Sequence, residues 1–354
     1  MTEAHRQRSA VRPTDLRRRS WFVQAIAFSH STAVSPTWRR IMTISTYFLV
    51  WCMLTILAPA WIPIAFVVGL FRRRSFIILR LLMFFWVYLT TELIGLIAAG
   101  SIYLMTRGDA ERREDLFFRL ECWWGRSLFT WICRFLSLST SIHGDDQILP
   151  GPVLVFIRHA SIIDTAVPVT FISDAKGLRL RYVFKRELLV DPCIDVAGHA
   201  SPNYFIDRGG SAREELAALW RLAENLGDQG ILIYPEGTRF TPRKKQIALQ
   251  KLTKTHPELV PIAESFKHCL PPKPGGALTL LDAAPGTDVL IVAHRGLEGL
   301  AEVTDLLSGA VVGKEIQIRI WRVPAADIPQ GDERRRWLFD CWKRVDDFVE
   351  HGAA

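Results

Sequence analysis

Residues 41–71 contain no charged side chain, and residues 81–105 contain only Glu92. Each stretch exceeds the ~20 apolar residues that a helix needs to cross a bilayer, so the first third of the chain is expected to lie in or against lipid. A single straight helix over 41–71 would run ~46 Å at 1.5 Å per residue, well past a ~30 Å hydrocarbon core, and Pro59 and Pro63 are expected to break it. A second helix is expected over 75–105, after the short connection Arg72-Arg73-Arg74. A spanning hairpin would place that arginine run outside, against the cytoplasmic bias of basic loops. Charge therefore leans toward a pair of helices that enter from one leaflet and return.

The net charge of +8 is concentrated in Arg17-Arg18-Arg19, Arg39-Arg40 and Arg72-Arg73-Arg74. These runs flank lipid-length segments, so the expected partners are the anionic headgroups of membrane lipids and not nucleic acid; a generic topology signal explains the runs equally well. Six cysteines scattered through apolar sequence, with no pairing or metal-type spacing, read as reduced packed thiols and favour a cytosolic face for the C-terminal domain. Residues 1–40, rich in Arg and Ser with only Glu3 and Asp15 as acids, read as a basic, disordered tail, an organellar transit peptide being the alternative. Residues 41–105 form the apolar helix pair. Residues 106–143 mix Phe, Leu and Trp with Arg119, Glu121, Arg126 and Arg134. That pattern fits an amphipathic helix at the membrane interface or a helix covering a core.

From Gly144 onward, short β-branched runs alternate with helical patterns. Strands are expected at 153–157, 180–184, 204–207, 231–234, 289–293 and 316–321. A helix over 211–226 has a Ser211/Glu214 capping box and Gly227 at its end, and another over 332–349 carries an apolar stripe. The alternation defines an α/β domain over 144–354.

Three expected strands end in polar clusters: Arg158-His159 through Asp164, Asp207-Arg208, and Tyr234 through Arg239. Ligands of open α/β sheets bind beyond the carboxyl ends of the strands, so three such clusters suggest one site. His159 and Asp164 would lie about 140° apart on an ideal helix, so the pair works only if His159 sits in a loop and Asp164 folds back from the first helical turn. A carboxylate on one imidazole nitrogen fixes the tautomer and frees the other nitrogen to take a proton. Equally, Ser161-Ile-Ile-Asp164 is a capping pattern, with Pro168 pointing to an irregular helix start. Arg208, just before Gly209-Gly210 and the capped helix, would sit beside free helical amides, and Arg239 would add a second cation. Both features favour a phosphate oxygen.

Together the clusters resemble the glycerolipid acyltransferase superfamily, which includes 1-acylglycerol-3-phosphate and other lysophospholipid acyltransferases. His159 to Asp164 matches the H-x-x-x-x-D motif, Tyr204-Phe-Ile-Asp-Arg208 the strand ending in arginine, and Tyr234-Pro-Glu-Gly-Thr-Arg239 the P-E-G-T-R block. Leu270-Pro-Pro-Lys-Pro-Gly-Gly276 is similar to the L-P-x-x-x-G segment, so four motifs stand in order across about 150 residues. The resemblance implies a mixed α/β sheet flanked by helices, with N-terminal membrane helices. It further implies transfer of a fatty acyl chain from an acyl-CoA or acyl carrier protein thioester to the hydroxyl of a lysophospholipid, most readily 1-acyl-glycerol 3-phosphate. His159 would be the base and Asp164 its orienting partner. Arg208, Glu236, Thr238 and Arg239 would surround the acceptor, Gly237 would lend its amide to the oxyanion, and Lys185 would stand near the acceptor.

No metal or cofactor is expected beyond the thioester substrate. The expected location is a membrane, bacterial inner or intracellular, with the catalytic domain on the cytosolic side. One departure stands out: Arg158 occupies the place before the histidine where asparagine is common, either extending phosphate recognition or pairing with an acid. Phe266, Leu270 and a loop over 244–254 are expected to touch lipid or the donor. Glycerol 3-phosphate or another lysolipid is the alternative acceptor. A metal site built from His159, Asp164, His199 and His294, or a lipid-binding protein without catalysis, are the rivals from other classes.

Overall fold

The computed structural model describes residues 35–72, 76–161, 163–206, 211–300 and 303–352. The first apolar stretch divides into α1 (Pro36–Ile56) and α2 (Ala58–Arg72), which meet at Leu57 with a bend of 71°. Proline is tolerated in a first helical turn, where no intrahelical N–H bond is lost, so Pro59 makes the new helix start there. Pro63 lies inside α2 without ending it. Next comes α3 (Ile77–Met105), the one described helix long and apolar enough to cross a bilayer unaided, and α4 (Ala110–Leu136), which runs back against it. The α/β part then comprises β1 (Ser139–His143), β2 (Val153–Ile157), β3 (Leu180–Lys185), α5 (Pro192–Gly198), β4 (Tyr204–Ile206) and α6 (Ala212–Ala223). It continues through β5 (Gly230–Ile233), α7 (Pro242–Thr255), α8 (Pro274–Ala283), β6 (Asp288–Arg295), β7 (Glu315–Val323) and α9 (Glu333–His351).

The seven strands form one sheet in the order β1-β7-β6-β2-β5-β3-β4. All neighbours are parallel except β6 and β7, which makes the sheet mixed. Every residue of β2 is buried because both faces are covered. Leu154 and Phe156 enter a core shared with α6, α7, α8 and α9, while Val153, Val155 and Ile157 enter one shared with α4. This two-faced burial gives β2 a continuous apolar run in place of alternation.

The six expected strands stand within two residues of their sequence positions. β1 was not foreseen: Ser139-Thr-Ser-Ile-His143 is short and polar, and it exists because β7 offers an edge to pair with. The expected loop over 244–254 is instead the helix α7, begun by Thr241, whose side chain accepts from Lys244 N, and by Pro242 in the first turn. The capping box of α6 is present, but that helix ends at Ala223, short of Gly227.

The apolar helices are fastened to the sheet domain by polar contacts. Glu92 is fully buried on α3, where it accepts hydrogen bonds from Trp124 Nε1 at 2.6 Å and Cys193 N at 3.2 Å. A buried carboxyl is tolerable only with such partners, so this side of α3 faces protein, and the stripe Leu89, Glu92, Gly95, Ala99, Ile102 follows it at helical spacing. Arg39 binds Asp195 of α5 through Nε and Nη2, both at 2.9 Å, and Arg40 adds a contact at 3.1 Å. Arg39-Arg40, expected to meet headgroups, is therefore an internal clamp between α1 and the sheet domain. Arg17-Arg18-Arg19 lies outside the described residues. On the other side of these helices, Trp38, Phe48, Leu49, Ile56, Ile97 and Leu104 are exposed.

Candidate active site

β2 carries the chain to the centre of the sheet edge and releases it at Arg158 and His159. Arg158 is buried, donating through Nη1 to His294 O at 2.7 Å and Glu298 Oε1 at 2.6 Å, and through Nη2 to His268 O at 3.2 Å. Of the two uses open to it from sequence, pairing with an acid is the one realised. With its neighbour anchored, His159 is presented at the strand tip. Asp164 follows in a helical turn, Ile163–Thr165, that continues irregularly through Ala166–Pro168 and the π-helical Val169–Asp174.

His159 Nδ1 lies 3.0 Å from Asp164 Oδ2. The same oxygen accepts from Ala160 N at 2.5 Å and Ser161 N at 2.8 Å, and Oδ1 accepts from Ser161 Oγ at 2.6 Å. Capping and orienting, rival readings of the sequence, are thus one arrangement: the carboxylate that closes the turn also holds the imidazole. Burial alone would push the Asp164 carboxyl up, but His294, His159 and Ser161 hold it below the ordinary carboxylate range. It therefore stays ionised and keeps the Nδ1–H tautomer in place.

His159 Nε2 then carries the ring's lone pair. Lys185 Nζ, at the end of β3, stands 3.3 Å from it. Burial lowers the imidazole's pKa, Asp164 opposes this, and the charges of Lys185 and Arg239 lower it further, so the net shift is downward and the ring is neutral at pH 7. The His159 ring also packs on Tyr234, with centroids 4.7 Å apart.

The residues of the third motif divide into two uses. Thr238 Oγ1 accepts from Lys244 Nζ at 3.1 Å, and Arg239 lines the cavity described below. Glu236 is an internal brace: buried, it accepts His159 N on Oε1 at 2.9 Å and Leu270 N on Oε2 at 2.8 Å, which ties the first, third and fourth motifs together. Burial pushes this carboxyl up to about 7, while Arg158 and the two amides oppose the rise. Both oxygens are engaged, so the acceptor contact expected of Glu236 is replaced by positioning of His159. Gly237 also differs from expectation. Its φ of +65° suits the turn, but its N–H donates to Tyr234 O at 2.8 Å and is not free for an oxyanion. A Cβ at Gly237 would meet Lys273 Nζ at 3.0 Å, so the glycine lets the fourth motif's lysine approach. Arg208 lies outside the described residues. Phe266 and Leu270, expected to touch lipid or donor, are buried in protein.

The site opens into a cavity of about 630 Å³ that runs between β3, α3, α4 and α5. His159, Lys185, Tyr234 and Arg239 stand with it, while Phe84, Leu96, Ala99, Leu128, Ile132 and Val196 make its wall mostly apolar. Sequence reasoning missed this wall: α3 read as a lipid-facing segment and α4 as either an interfacial or a core-covering helix, and only their packing against β3 encloses a space. His294, named from sequence only as a member of the rival metal set, stands with Nε2 3.5 Å from Asp164 Oδ1 and 3.0 Å from Arg158 O. No periodic signal separates that histidine from the strand around it.

A histidine oriented by a buried carboxylate at the tip of a mixed α/β sheet, beside cations and an apolar cavity, is an arrangement that can take a proton from a ligand in a lipid-sized site. The acyltransferase family model matches residues 139–293. The 1-acyl-sn-glycerol-3-phosphate acyltransferase gamma of Mus musculus is 27% identical over 252 residues, which cover 67% of this chain and 65% of that protein, just under two thirds of its length. The crystal structure of the 1-acyl-sn-glycerophosphate (LPA) acyltransferase PlsC from Thermotoga maritima shares the fold, with a TM-score of 0.52 at 18% identity over 79% of this chain and 99% of that one. Over residues 139–293, a little under half of the 354-residue chain, the sequence is thus similar to the acyltransferase family.

Proposed function

We propose that this chain is a membrane-associated O-acyltransferase that moves a fatty acyl group from an acyl-CoA or acyl carrier protein thioester to the free hydroxyl of a lysophospholipid. The acceptor we favour is 1-acyl-glycerol 3-phosphate, giving phosphatidic acid. The single observation carrying this reading is His159, with Nδ1 held by Asp164 and Nε2 beside Lys185 at the mouth of an apolar cavity of about 630 Å³. Support for the substrate class comes from relatives whose names specify 1-acylglycerol 3-phosphate as acceptor. Support for the membrane comes from the exposed apolar faces of α1 to α3.

In this reading His159 Nε2 takes the acceptor's hydroxyl proton as its oxygen attacks the thioester carbonyl. The tetrahedral adduct then expels the thiolate, which receives the proton from His159, so no acyl-enzyme forms. Lys185 and Arg239 hold the acceptor's phosphate. Removing one charge-assisted contact to a phosphate costs about 1.5–3 kcal/mol, so Arg239→Ala is expected to raise the acceptor KM about 10- to 100-fold with a smaller change in kcat. The deciding assay is acyl transfer by purified protein to a panel of lysophosphatidate, other lysolipids and glycerol 3-phosphate. Absence of product with every acceptor removes the enzymatic reading and leaves a lipid-binding protein.

The histidine's pKa sets a pH dependence. Only the neutral ring accepts a proton, and its pKa is depressed, so kcat/KM should hold through neutral pH and fall as pH drops through that lowered value. Lys185→Met removes one of the charges that depress it and should move the acidic limb to higher pH. A limb that stays in place in the pH profile would show that the Lys185 charge does not act on His159.

Gly95 on α3 lines the cavity, and a Cβ there would meet Cys193 Sγ at 2.8 Å and Trp124 Cδ1 at 3.7 Å. The first added carbon already overlaps Cys193 Sγ, so Gly95→Leu should force α3 away from α5 and lower stability by about 1–3 kcal/mol, read as a lower midpoint in a circular-dichroism melt.

A further inference from the structure

His294, one residue before the end of β6, has no exposed surface and is not among the residues that line the cavity. Its Nε2 faces two oxygens, Arg158 O at 3.0 Å and Asp164 Oδ1 at 3.5 Å, while Nδ1 has no hydrogen-bond partner among the described residues. The ring's proton is therefore assigned to Nε2. A second proton on Nδ1 would be a buried donor without an acceptor, so the ring stays neutral and turns the positive end of one N–H toward Arg158 and Asp164. Burial lowers its pKa, Asp164 opposes this, and the Arg158 charge lowers it further. Bonds run in the other direction as well: Arg158 N donates to Val292 O at 3.0 Å and Arg158 Nη1 to His294 O at 2.7 Å. β2 ends at Ile157, and these contacts carry its pairing with β6 one residue further, to the residue that precedes the base.

His159 and Asp164 stand on one turn of chain, with Arg158 at its start and Asp164 near its close. Resting on the acyl-transfer reading above, we propose that His294 is a positioning residue for the base: its rigid ring, in contact with both ends of that turn, fixes where the Asp164 carboxylate lies relative to the backbone from which His159 springs. Ser161 Oγ also reaches Asp164 Oδ1, but Ser161 belongs to the turn and moves with it, whereas His294 is held in the sheet between β2 and β7. His294 thus refers the turn to the sheet. Displacing a reacting group by about 1 Å can cost about a hundredfold in rate, so a side chain that touches no substrate has a measurable effect.

His294→Phe keeps a flat ring and removes the N–H, and His294→Gln carries an amide nitrogen the same number of bonds from Cβ as Nε2. The rates are measured with lysophosphatidate and oleoyl-CoA, well below each variant's melting midpoint. His294→Phe is expected to lower kcat about 10- to 100-fold with the acceptor KM within about threefold, and His294→Gln to recover at least about half of that loss on a logarithmic scale. Introduced into His159→Ala, His294→Phe should lower the residual rate by less than about threefold, because the histidine it positions is gone, whereas a general loss of structure would lower both backgrounds by the same factor. A kcat for His294→Phe within about threefold of wild type, or equal losses in the two backgrounds, overturns the proposal. If His294→Phe does not fold, His294→Asn, whose amide stops one bond short, takes its place with the same outcomes. If the wild type transfers no acyl group, the acyltransferase reading fails on its own, and ring nitrogen-15 shifts, assigned to His159 by difference from His159→Ala, decide the positioning separately. A single Nδ1–H tautomer of His159 in the wild type that becomes a mixture in the His294 variant supports it, and the same tautomer in both overturns it.

Discussion

His159→Ala should lower kcat for acyl transfer by about 10²–10⁴, the usual contribution of a positioned general base, while the acceptor KM moves little. The side chain is 13% exposed, and among the described residues its hydrogen-bonding and ring contacts are with Asp164, Lys185 and the face of Tyr234, so its loss removes few contacts. The thermal midpoint should accordingly change far less than the rate. Initial rates with saturating lysophosphatidate and acyl-CoA, beside a circular-dichroism melt, check both halves. A variant within threefold of wild type in kcat would mean that no proton passes through Nε2 in the slow step.

Asp164→Asn should be costly in two separate ways. The carboxylate accepts from four donors: His159 Nδ1, the amides of Ala160 and Ser161, and the Ser161 hydroxyl. An asparagine presents an NH₂ to part of that set, so at least one buried donor faces another and the turn 158–165 loses roughly 1–3 kcal/mol. The imidazole loses the acceptor that fixes its tautomer, and with it the free Nε2 lone pair. A rate loss of about 10²–10⁴ is therefore expected together with a lower midpoint. The contrast with His159→Ala is diagnostic: a similar fall in rate, but a clear fall in stability only for Asp164→Asn. Unchanged stability would show that the buried turn tolerates the amide, and unchanged rate would show that His159 needs no orienting partner.

Glu236 and Gly237 mark where motif matching stops being informative about role. The pattern P-E-G-T-R places both at a strand tip, and their assignment to acceptor and oxyanion followed from proximity alone. Whether a carboxylate binds ligand or backbone depends on which loops arrive beside it. Here the first and fourth motifs arrive, and their amides occupy both Glu236 oxygens. Arg39-Arg40 makes the same point on a larger scale. A basic pair next to an apolar helix reads as a headgroup contact until Asp195, 156 residues away along the chain, is folded against it.

The sequence by itself determined the local periods: charge-free stretches long enough for membrane helices, a break near Pro59, six strands of the sheet, the Ser211/Glu214 box, and a histidine and an aspartate close enough along one loop to meet. Each depends on interactions within a few residues, where backbone geometry leaves little choice. Tertiary structure decided what no local pattern encodes: that Ser139–His143 pairs with β7, that Glu92 turns one side of α3 toward protein, and that α3, α4 and β3 enclose a cavity beside His159. Those outcomes come from contacts between residues tens to hundreds of positions apart, made only when separate elements bury their apolar faces against one another.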